Sequence, residues 1–248
     1  MAVGLTAVLA VVLVFFLDGF TVKGNSMEPT FHSGQRIYVN KLLMGARIYR
    51  SYDFTSTGLS SYRMPGLKKL SVGDVVIFNY PFAGSKDTIG FRINYVYAKR
   101  CLGVPGDSVR IEDGFYRGGK GRMVGESEFQ YRLHNMSDSS LMKIRGCYYA
   151  MSGWSIKNFG PAYIPGKGDK VTIEESDFFW YRKLIKYETG FMPSIDSLGR
   201  VFLDGKILRE YEFKGNWYFL GGDNVLDSRD SRYFGLVPEE YIVGIVIR

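Results

Sequence analysis

Residues 93–111, INYVYAKRCLGVPGDSVRI, give the clearest indication of the fold of this chain. An aromatic and β-branched strand leads to Lys99, a Pro-Gly-Asp turn follows, and a second strand ends the segment. Residues 35–42 alternate apolar and polar side chains, and residues 72–81 read as a turn followed by a buried strand. Together these segments predict a mostly β fold.

The composition supports a sizeable folded core. Of 248 residues, 46% are hydrophobic and 16% aromatic, and 30 are glycine, which favours strands and tight turns over helical bundles. The net charge is +7, but Lys and Arg are spread along the chain without a nucleic-acid recognition motif. We interpret the charge as a solvated basic surface, compatible also with anionic lipid, and expect no nucleic-acid partner.

Metal and cofactor chemistry is not indicated. The two cysteines, Cys101 and Cys147, have no metal-ligand spacing, and the only histidines are His32 and His134. We therefore expect no metal and no cofactor. Whether the cysteines are free thiols or form a disulfide stays open, because it depends on the compartment and on their separation in space.

The N-terminal run, residues 2–17, carries no charge and would span roughly 25 to 28 Å as a helix. We predict a single transmembrane anchor over residues 2–20. A cleavable signal peptide is disfavoured because no basic segment precedes the run. A buried core helix is disfavoured because the run is apolar on all sides, without the polar face expected of a surface helix. The charges that follow do not settle the orientation, since large domains translocate regardless of charge.

The C-terminal segment, residues 221–244, reads GGDNVLDSRDSRYFGLVPEEYIVG, with turn formers and acidic residues around two serines. Alone, it is typical of a loop. Together with three earlier blocks in the same order, however, it resembles type I signal peptidases, the membrane-anchored Ser/Lys proteases that remove signal peptides from exported proteins. The matching blocks are SMEPT (26–30), GDVVIFNYP (73–81), KRCLGVPGD (99–107) and GDNVLDSRDSRYFGLV (222–237).

The resemblance implies a signal-peptidase-like β-fold catalytic core behind one N-terminal transmembrane helix. It implies a single-pass protein of the bacterial inner (cytoplasmic) membrane, with the catalytic domain on the outer face. The implied partners are the signal peptides of secretory preproteins and the lipid bilayer, and contact with the export machinery is compatible with it.

The residues themselves favour a lysine as the base for a catalytic serine. A serine hydroxyl needs a base within hydrogen-bond reach, and neither histidine is a convincing one, because His32 is only six residues from Ser26 and His134 lies in a weakly matched region. A lysine serves if burial shifts its pKa by several units, and the apolar neighbours of Lys99 supply such surroundings.

By resemblance, Ser26 is the nucleophile, Lys99 is the general base, and Ser228 orients the lysine amine. The backbone N–H of Ser26 binds the oxyanion. Some relatives add a hydroxyl two residues earlier, where this chain has Gly24, so we expect either φ > 0 or close backbone approach there. The residues assigned to structural support of the lysine strand are Asp223, Asp230, Arg232 and Arg100.

The substrate is expected to bind as an added strand between the edges formed by residues 18–22 and 95–98. By resemblance, shallow pockets admit small residues one and three positions before the cut. Their predicted walls are Phe20, Val22, Phe31 and Ala98. The alternative for each of the four is an ordinary core residue.

Residues 112–200 are predicted to form an inserted β-rich lobe within a catalytic core made of residues 21–111 and 201–248. Within the lobe, residues 174–188 place acidic side chains before basic ones, which predicts a short helix. Residues 178–181, FFWY, read separately as a buried strand or as a contact to lipid headgroups.

The expected function is therefore a membrane-bound serine endopeptidase that cuts after a small-x-small motif. A catalytically silent, membrane-anchored binding protein for export substrates is the alternative from another class. A self-cleaving Ser/Lys regulator is disfavoured by the predicted membrane span and by the lack of a DNA-binding segment.

Overall fold

The computed structural model describes residues 15–50, 61–82, 84, 87–141, 144, 148–149 and 153–247. The strands are β1 (Leu17–Thr21), β2 (Arg36–Asn40), β3 (Arg47–Tyr49), β4 (Ser61–Arg63), β5 (Val75–Asn79), β6 (Val96–Gly103), β7 (Ser108–Glu112), β8 (Phe115–Arg117), β9 (Tyr148–Tyr149), β10 (Trp154–Ser155), β11 (Phe159–Tyr163), β12 (Lys170–Thr172), β13 (Ser194–Ile195), β14 (Val201–Leu203), β15 (Lys206–Ile207), β16 (Glu210–Glu212), β17 (Trp217–Gly221), β18 (Val237–Pro238) and β19 (Ile242–Ile247). The α-helices are α1 (Ser127–His134), α2 (Asp138–Leu141), α3 (Glu175–Thr189) and α4 (Ser231–Phe234). The mostly β prediction is confirmed.

A seven-stranded antiparallel sheet in the order β1-β2-β19-β5-β6-β17-β18 forms the centre of the molecule. Its middle strand β5, VVIFN, is buried along its whole length, as the apolar run predicts. Because β1 and β6 are separated by four antiparallel steps, they run in the same direction. Strand β1 leads at its C-terminal end toward Ser26, and β6 carries Lys99 as its fourth residue.

Beside Ser26 and Lys99, two stretches of this sheet have an edge without a strand partner in the described part of the chain. Strand β1 pairs only with β2. Strand β6 pairs with β5 along residues 96–100, but β17 joins its other side only from Arg100 onward. Backbone groups at residues 96–99 are therefore free on one side to pair with an added strand.

The N-terminal prediction needs a correction at its boundary. Leu17–Thr21 are the first strand of the sheet, so the last four residues assigned to a membrane helix pair instead with β2. Lys41 fixes this pairing through a 2.8 Å ion pair to Asp18. Residues 2–14 of the predicted anchor lie outside the described residues. In the described part of the chain, no helix combines the length and hydropathy needed to cross a membrane.

The predicted lobe boundaries at 111 and 200 cut through hydrogen-bonded sheets. Strand β7 pairs with β11 and β8, and strands β14 and β16 pair with β13 and β12. Strand ladders therefore join residues on both sides of each predicted boundary. Phe159 and Phe178 of the predicted lobe share one hydrophobic core with Phe78 and Phe219 of the central sheet.

Helix α3 confirms the helix predicted for residues 174–188, whereas the buried strand at residues 178–181 is wrong. Glu174 and Asp177 form a capping box, and Gly190 with φ 83° ends the helix. Phe178 and Tyr181 are buried at helical spacing on one face. A short aromatic run fits a buried strand and a buried helix face equally well, and the caps decide between them.

Candidate active site

The turn that carries Ser26 follows β1 and is held by apolar side chains. Gly24 has φ 76°, and a Cβ there would meet nothing within 4 Å. The glycine is therefore required for its left-handed backbone rather than for close packing, which decides between the two expectations. Immediately after Ser26, the buried Met27 packs with Val22 and fixes the turn to a small core.

Lys99 lies on β6 and reaches the nucleophile turn. Its Nζ donates a 2.6 Å hydrogen bond to Ser26 Oγ and a 3.0 Å hydrogen bond to the carbonyl oxygen of Ala98. The sheet thus joins a hydroxyl and an amine that are 73 residues apart in sequence. Lys99 is only 3% exposed, so water contributes little to the solvation of its amine.

Burial lowers the pKa of Lys99 from 10.5 to about 8, although the carboxylates of Asp230 and Asp223 act in the opposite direction. Both carboxylates form ion pairs with arginines, which limits their pull on the lysine proton. A neutral amine is therefore available at mildly alkaline pH, and a neutral amine can accept the serine proton.

Replacing Lys99 with Met is expected to stabilise the fold at pH 7 by on the order of 1–3 kcal/mol. The folded pKa lies below the unfolded one, so the burial penalty is fully present below about pH 8 and fades as the pH rises toward 10.5. Urea unfolding of wild type and Lys99→Met at pH 7 and near pH 10 measures the difference. A variant less stable than wild type at pH 7 contradicts the assigned pKa direction.

Asp230 and Arg232 form an ion pair with no exposed side-chain surface, with a 2.8 Å contact between Arg232 Nε and Asp230 Oδ1. Burial raises the pKa of Asp230, but the adjacent guanidinium outweighs it and holds that pKa below its ordinary value. Asp230 also accepts the backbone N–H of Gly222 and caps α4. The pair thereby fixes both ends of the loop beside Lys99.

Arg100 and Asp223 form a second, bidentate pair with two contacts of 2.7 Å. The same guanidinium donates 2.9 Å to Thr30 Oγ1 and 3.2 Å to Glu126 Oε1. Arg100 therefore joins the lysine strand, the C-terminal loop and the segment after the nucleophile. The structure contains both charge pairs that the sequence resemblance assigns.

Ser228 does not bond the lysine in this structure. Its Oγ is buried and interacts with the carboxylate of Asp230, whose pKa it helps to lower, and the second acceptor of Lys99 Nζ is the carbonyl oxygen of Ala98. The side chain lies instead beside Gly222, where an added Cβ would collide with Ser228 Oγ. The lysine-orienting role assigned to Ser228 is therefore not realised in this geometry.

Gly222 and Asn224 are site residues that the sequence reasoning missed. Asn224 N–H donates 3.2 Å to the carbonyl oxygen of Ser26, and Asn224 Nδ2 donates 3.3 Å to that of Asn25. A Cβ on Gly222 would lie 2.5 Å from the Ser26 carbonyl oxygen. The sequence feature that could have identified them is the tripeptide Gly222-Asp223-Asn224, in which the sequence analysis assigned a role only to Asp223.

Gly222→Ala is expected to lower kcat by at least about tenfold, because the nucleophile backbone must shift to admit the methyl group. Gly84→Ala is the matched control, since a Cβ there would meet nothing within 4 Å. Turnover and urea unfolding are measured on both variants. A Gly222→Ala protein with wild-type turnover would show that the loop does not position Ser26.

A cleft of about 620 Å³ opens on the dyad. Phe20, Val22 and Ala98 line it as predicted, with the β1 and β6 edges on its two sides. Phe31 does not line this cleft; it packs with Met27 and lines a neighbouring depression of about 580 Å³. Three of the four predicted wall residues are therefore brought together beside the dyad.

No group of three or more His, Cys, Asp and Glu side chains suited to a metal ion occurs among the described residues. Cys101 is a fully buried free thiol, and burial raises its pKa. Cys147, the other half of the disulfide question, lies outside the described residues.

Comparison with known proteins identifies the family. Signal peptidase IB of Staphylococcus aureus is 28% identical over 241 residues, covering 96% of this chain and 80% of that protein. Signal peptidase I of Pseudomonas aeruginosa is 28% identical over 255 aligned residues, covering 96% of this chain and 66% of that protein. A crystal structure of a signal peptidase I from Enterococcus faecalis V583 has 19% identity, covers 73% of this chain and 100% of its own, and gives a TM-score of 0.34. The family described as signal peptidase, peptidase S26, matches residues 1–248. The protein is therefore a member of the signal peptidase family, peptidase S26.

Proposed function

We propose that this protein is a serine endopeptidase that removes signal peptides from exported preproteins, with Ser26 as nucleophile and Lys99 as general base. The observation that carries the proposal is the 2.6 Å contact between Lys99 Nζ and Ser26 Oγ, made by an amine that is almost fully buried. Burial disfavours the charged form of a lysine. A buried lysine amine that is hydrogen-bonded to a serine hydroxyl is therefore suited to accept the proton of that hydroxyl.

In the proposed reaction, neutral Lys99 takes the proton of Ser26 as the hydroxyl oxygen attacks the scissile carbonyl carbon. The backbone N–H of Ser26 stabilises the oxyanion, and Asn224 holds that turn through the Ser26 carbonyl oxygen. The ammonium form of Lys99 then donates its proton to the departing amine. Water, deprotonated by the same lysine, hydrolyses the ester formed with Ser26 and restores the hydroxyl.

The substrate is proposed to be an extended segment with small side chains one and three positions before the cut. Two features support this: the free backbone edges of β1 and of residues 96–99, and the short side chain of Ala98 at the wall. The relatives named signal peptidase I and signal peptidase IB support signal peptide removal as the reaction.

We further place the protein in the bacterial inner membrane, anchored by its N-terminal apolar run, with the catalytic domain on the outer face. The uncharged sequence of residues 2–17 and the family membership support this placement. There the domain would meet preproteins in the lipid bilayer and come within reach of the export machinery.

Cleavage of a preprotein with a single small-x-small site tests the proposal, with mass spectrometry locating the cut. Detergent-solubilised wild type is expected to cut after the second small residue, and Ser26→Ala to bind the preprotein without cutting it. If wild type binds the preprotein but cuts nothing at any pH, the alternative of a catalytically silent binding protein replaces the enzyme.

A further inference from the structure

The cleft also carries a cationic and hydroxyl-rich cluster that the proposed reaction does not use. The cluster begins beside the dyad, where the Tyr97 ring centroid is 5.5 Å from Lys99 Nζ, and continues along β6 to Tyr95, the residue just before that strand. Arg229 lies over the ring of Tyr80, 5.3 Å from its centroid. Tyr80 packs against Tyr97 at 4.8 Å and Tyr95 at 5.5 Å between ring centroids. The hydroxyls of Tyr95 and Tyr97 are 3.3 Å apart. Arg229 and both of these tyrosines line the cleft.

The cluster is fixed on one side and open on the other. Tyr80 is 2% exposed, so the ring beneath Arg229 belongs to the core, whereas Tyr95 is 44% exposed. Among the residues that the structure describes, no carboxylate lies within ion-pair distance of the exposed Arg229 guanidinium. Burial raises the pKa of Tyr97, which keeps its hydroxyl protonated. The open side therefore presents hydrogen-bond donors and one positive charge.

The sheet topology gives the position of the cluster along a bound chain. Strands β1 and β6 run in the same direction and both lead toward the dyad, so a substrate strand parallel to them places its residues before the cut in the cleft. Tyr95 lies three residues before Ala98, which is about 10 Å along an extended strand. A substrate side chain beside Tyr95 is therefore about four or five positions before the scissile bond.

We propose that Arg229, together with the hydroxyls of Tyr95 and Tyr97, forms a subsite for an acidic side chain about four or five positions before the cut. A guanidinium and neighbouring hydroxyl groups are suited to a carboxylate, and the pairing is charge-assisted. Asp227, which lines the same cleft and acts on Lys99, places the opposite charge near the dyad. A carboxylate in the substrate is thus accepted beside Arg229 and Tyr95 and repelled beside Asp227. This inference rests on the proposed function, because it assumes that preprotein residues before the cut occupy the cleft.

The test compares kcat/KM for three peptides that share one small-x-small site and carry Glu, Gln or Lys at the fifth position before the cut. Wild type is expected to prefer the Glu peptide over the Lys peptide by about fivefold to tenfold at low salt. The reason is that the exposed Arg229 attracts the Glu side chain and repels the Lys side chain. Arg229→Glu is expected to reverse the order, and Arg229→Lys to retain it. Lys206→Glu is the matched control, since it changes the same charge on the exposed β15 outside the cleft, and its ratio is expected to equal that of wild type.

The outcomes separate the subsite from the function. If wild type cuts all three peptides at equal rates, or if Arg229→Glu keeps the wild-type order, the subsite is wrong and the peptidase stands. If Lys206→Glu shifts the ratio as much as Arg229→Glu, the preference reflects overall charge and the subsite is again wrong. If wild type cuts none of the peptides and also leaves a full preprotein intact, the proposed function fails and the subsite fails with it.

Discussion

Lys99→Met is expected to lower kcat/KM for a preprotein by at least about a thousandfold at pH 8, because no other base is in contact with Ser26 Oγ among the described residues. The variant keeps the apolar stem of the lysine and removes the amine. It is expected to fold, and at pH 7 to be more stable than wild type. A variant that is more stable than wild type but no longer turns over substrate indicates that the replaced group serves catalysis at a cost in stability.

Lys170→Met is the control for that variant. Lys170 is exposed on β12 and pairs at 3.7 Å with the equally exposed Glu212, so removing its charge is expected to leave turnover unchanged. Residual activity of Lys99→Met above about a tenth of wild type would mean that another group deprotonates the serine.

Asp230→Ala is expected to destabilise the protein by about 3–5 kcal/mol, since it leaves the Arg232 guanidinium buried without its counter-charge. It also removes the acceptor of Gly222 N–H and the cap of α4. Urea unfolding at pH 7 measures the loss. Because the folded pKa of Asp230 is lowered, the stabilisation from this pair is present at neutral pH and is lost as the pH falls through that lowered pKa.

Two further variants separate the buried pair from charge in general. Glu212→Ala removes the exposed partner of Lys170 and is expected to change stability by less than about 0.5 kcal/mol. Asp230→Ala combined with Arg232→Leu is expected to be more stable than Asp230→Ala alone, because no uncompensated charge remains. A loss below about 1 kcal/mol in the single variant would contradict the structural role of the pair.

Local sequence pattern predicted the strands that hold the dyad but not their order. The apolar character of β5 and the aromatic start of β6 identified both as strands, because side-chain alternation and burial are local signals. The pairing of β7 with β11 and of β12 with β16 is long-range, and it crosses both predicted lobe boundaries. At the N-terminus, an apolar residue such as Leu17 fits a membrane helix and a sheet strand alike, so hydropathy placed that boundary too late.

The site was predictable where a role depends on residue type and less so where it depends on side-chain direction. Ser26, Lys99 and the two charge pairs were assigned by resemblance, and the structure brings them together. Ser228 and Phe31 differ from expectation because rotamer and turn geometry decide what each contacts. The carbonyl oxygen of Ala98 accepts a hydrogen bond from Lys99 Nζ. Because every residue has a backbone carbonyl group, residue types alone could not predict this acceptor.

The dependence of kcat/KM on pH tests the central claim most directly, using an uncharged peptide substrate between about pH 6 and pH 10 so that only the free enzyme titrates. If Lys99 is the base, kcat/KM rises with pH, is half-maximal near about 8, the pKa that burial gives this amine, and levels off at higher pH. A profile that is flat across this range, or that is half-maximal near about pH 6.5 as for a histidine base, would contradict catalysis by the Ser26–Lys99 dyad.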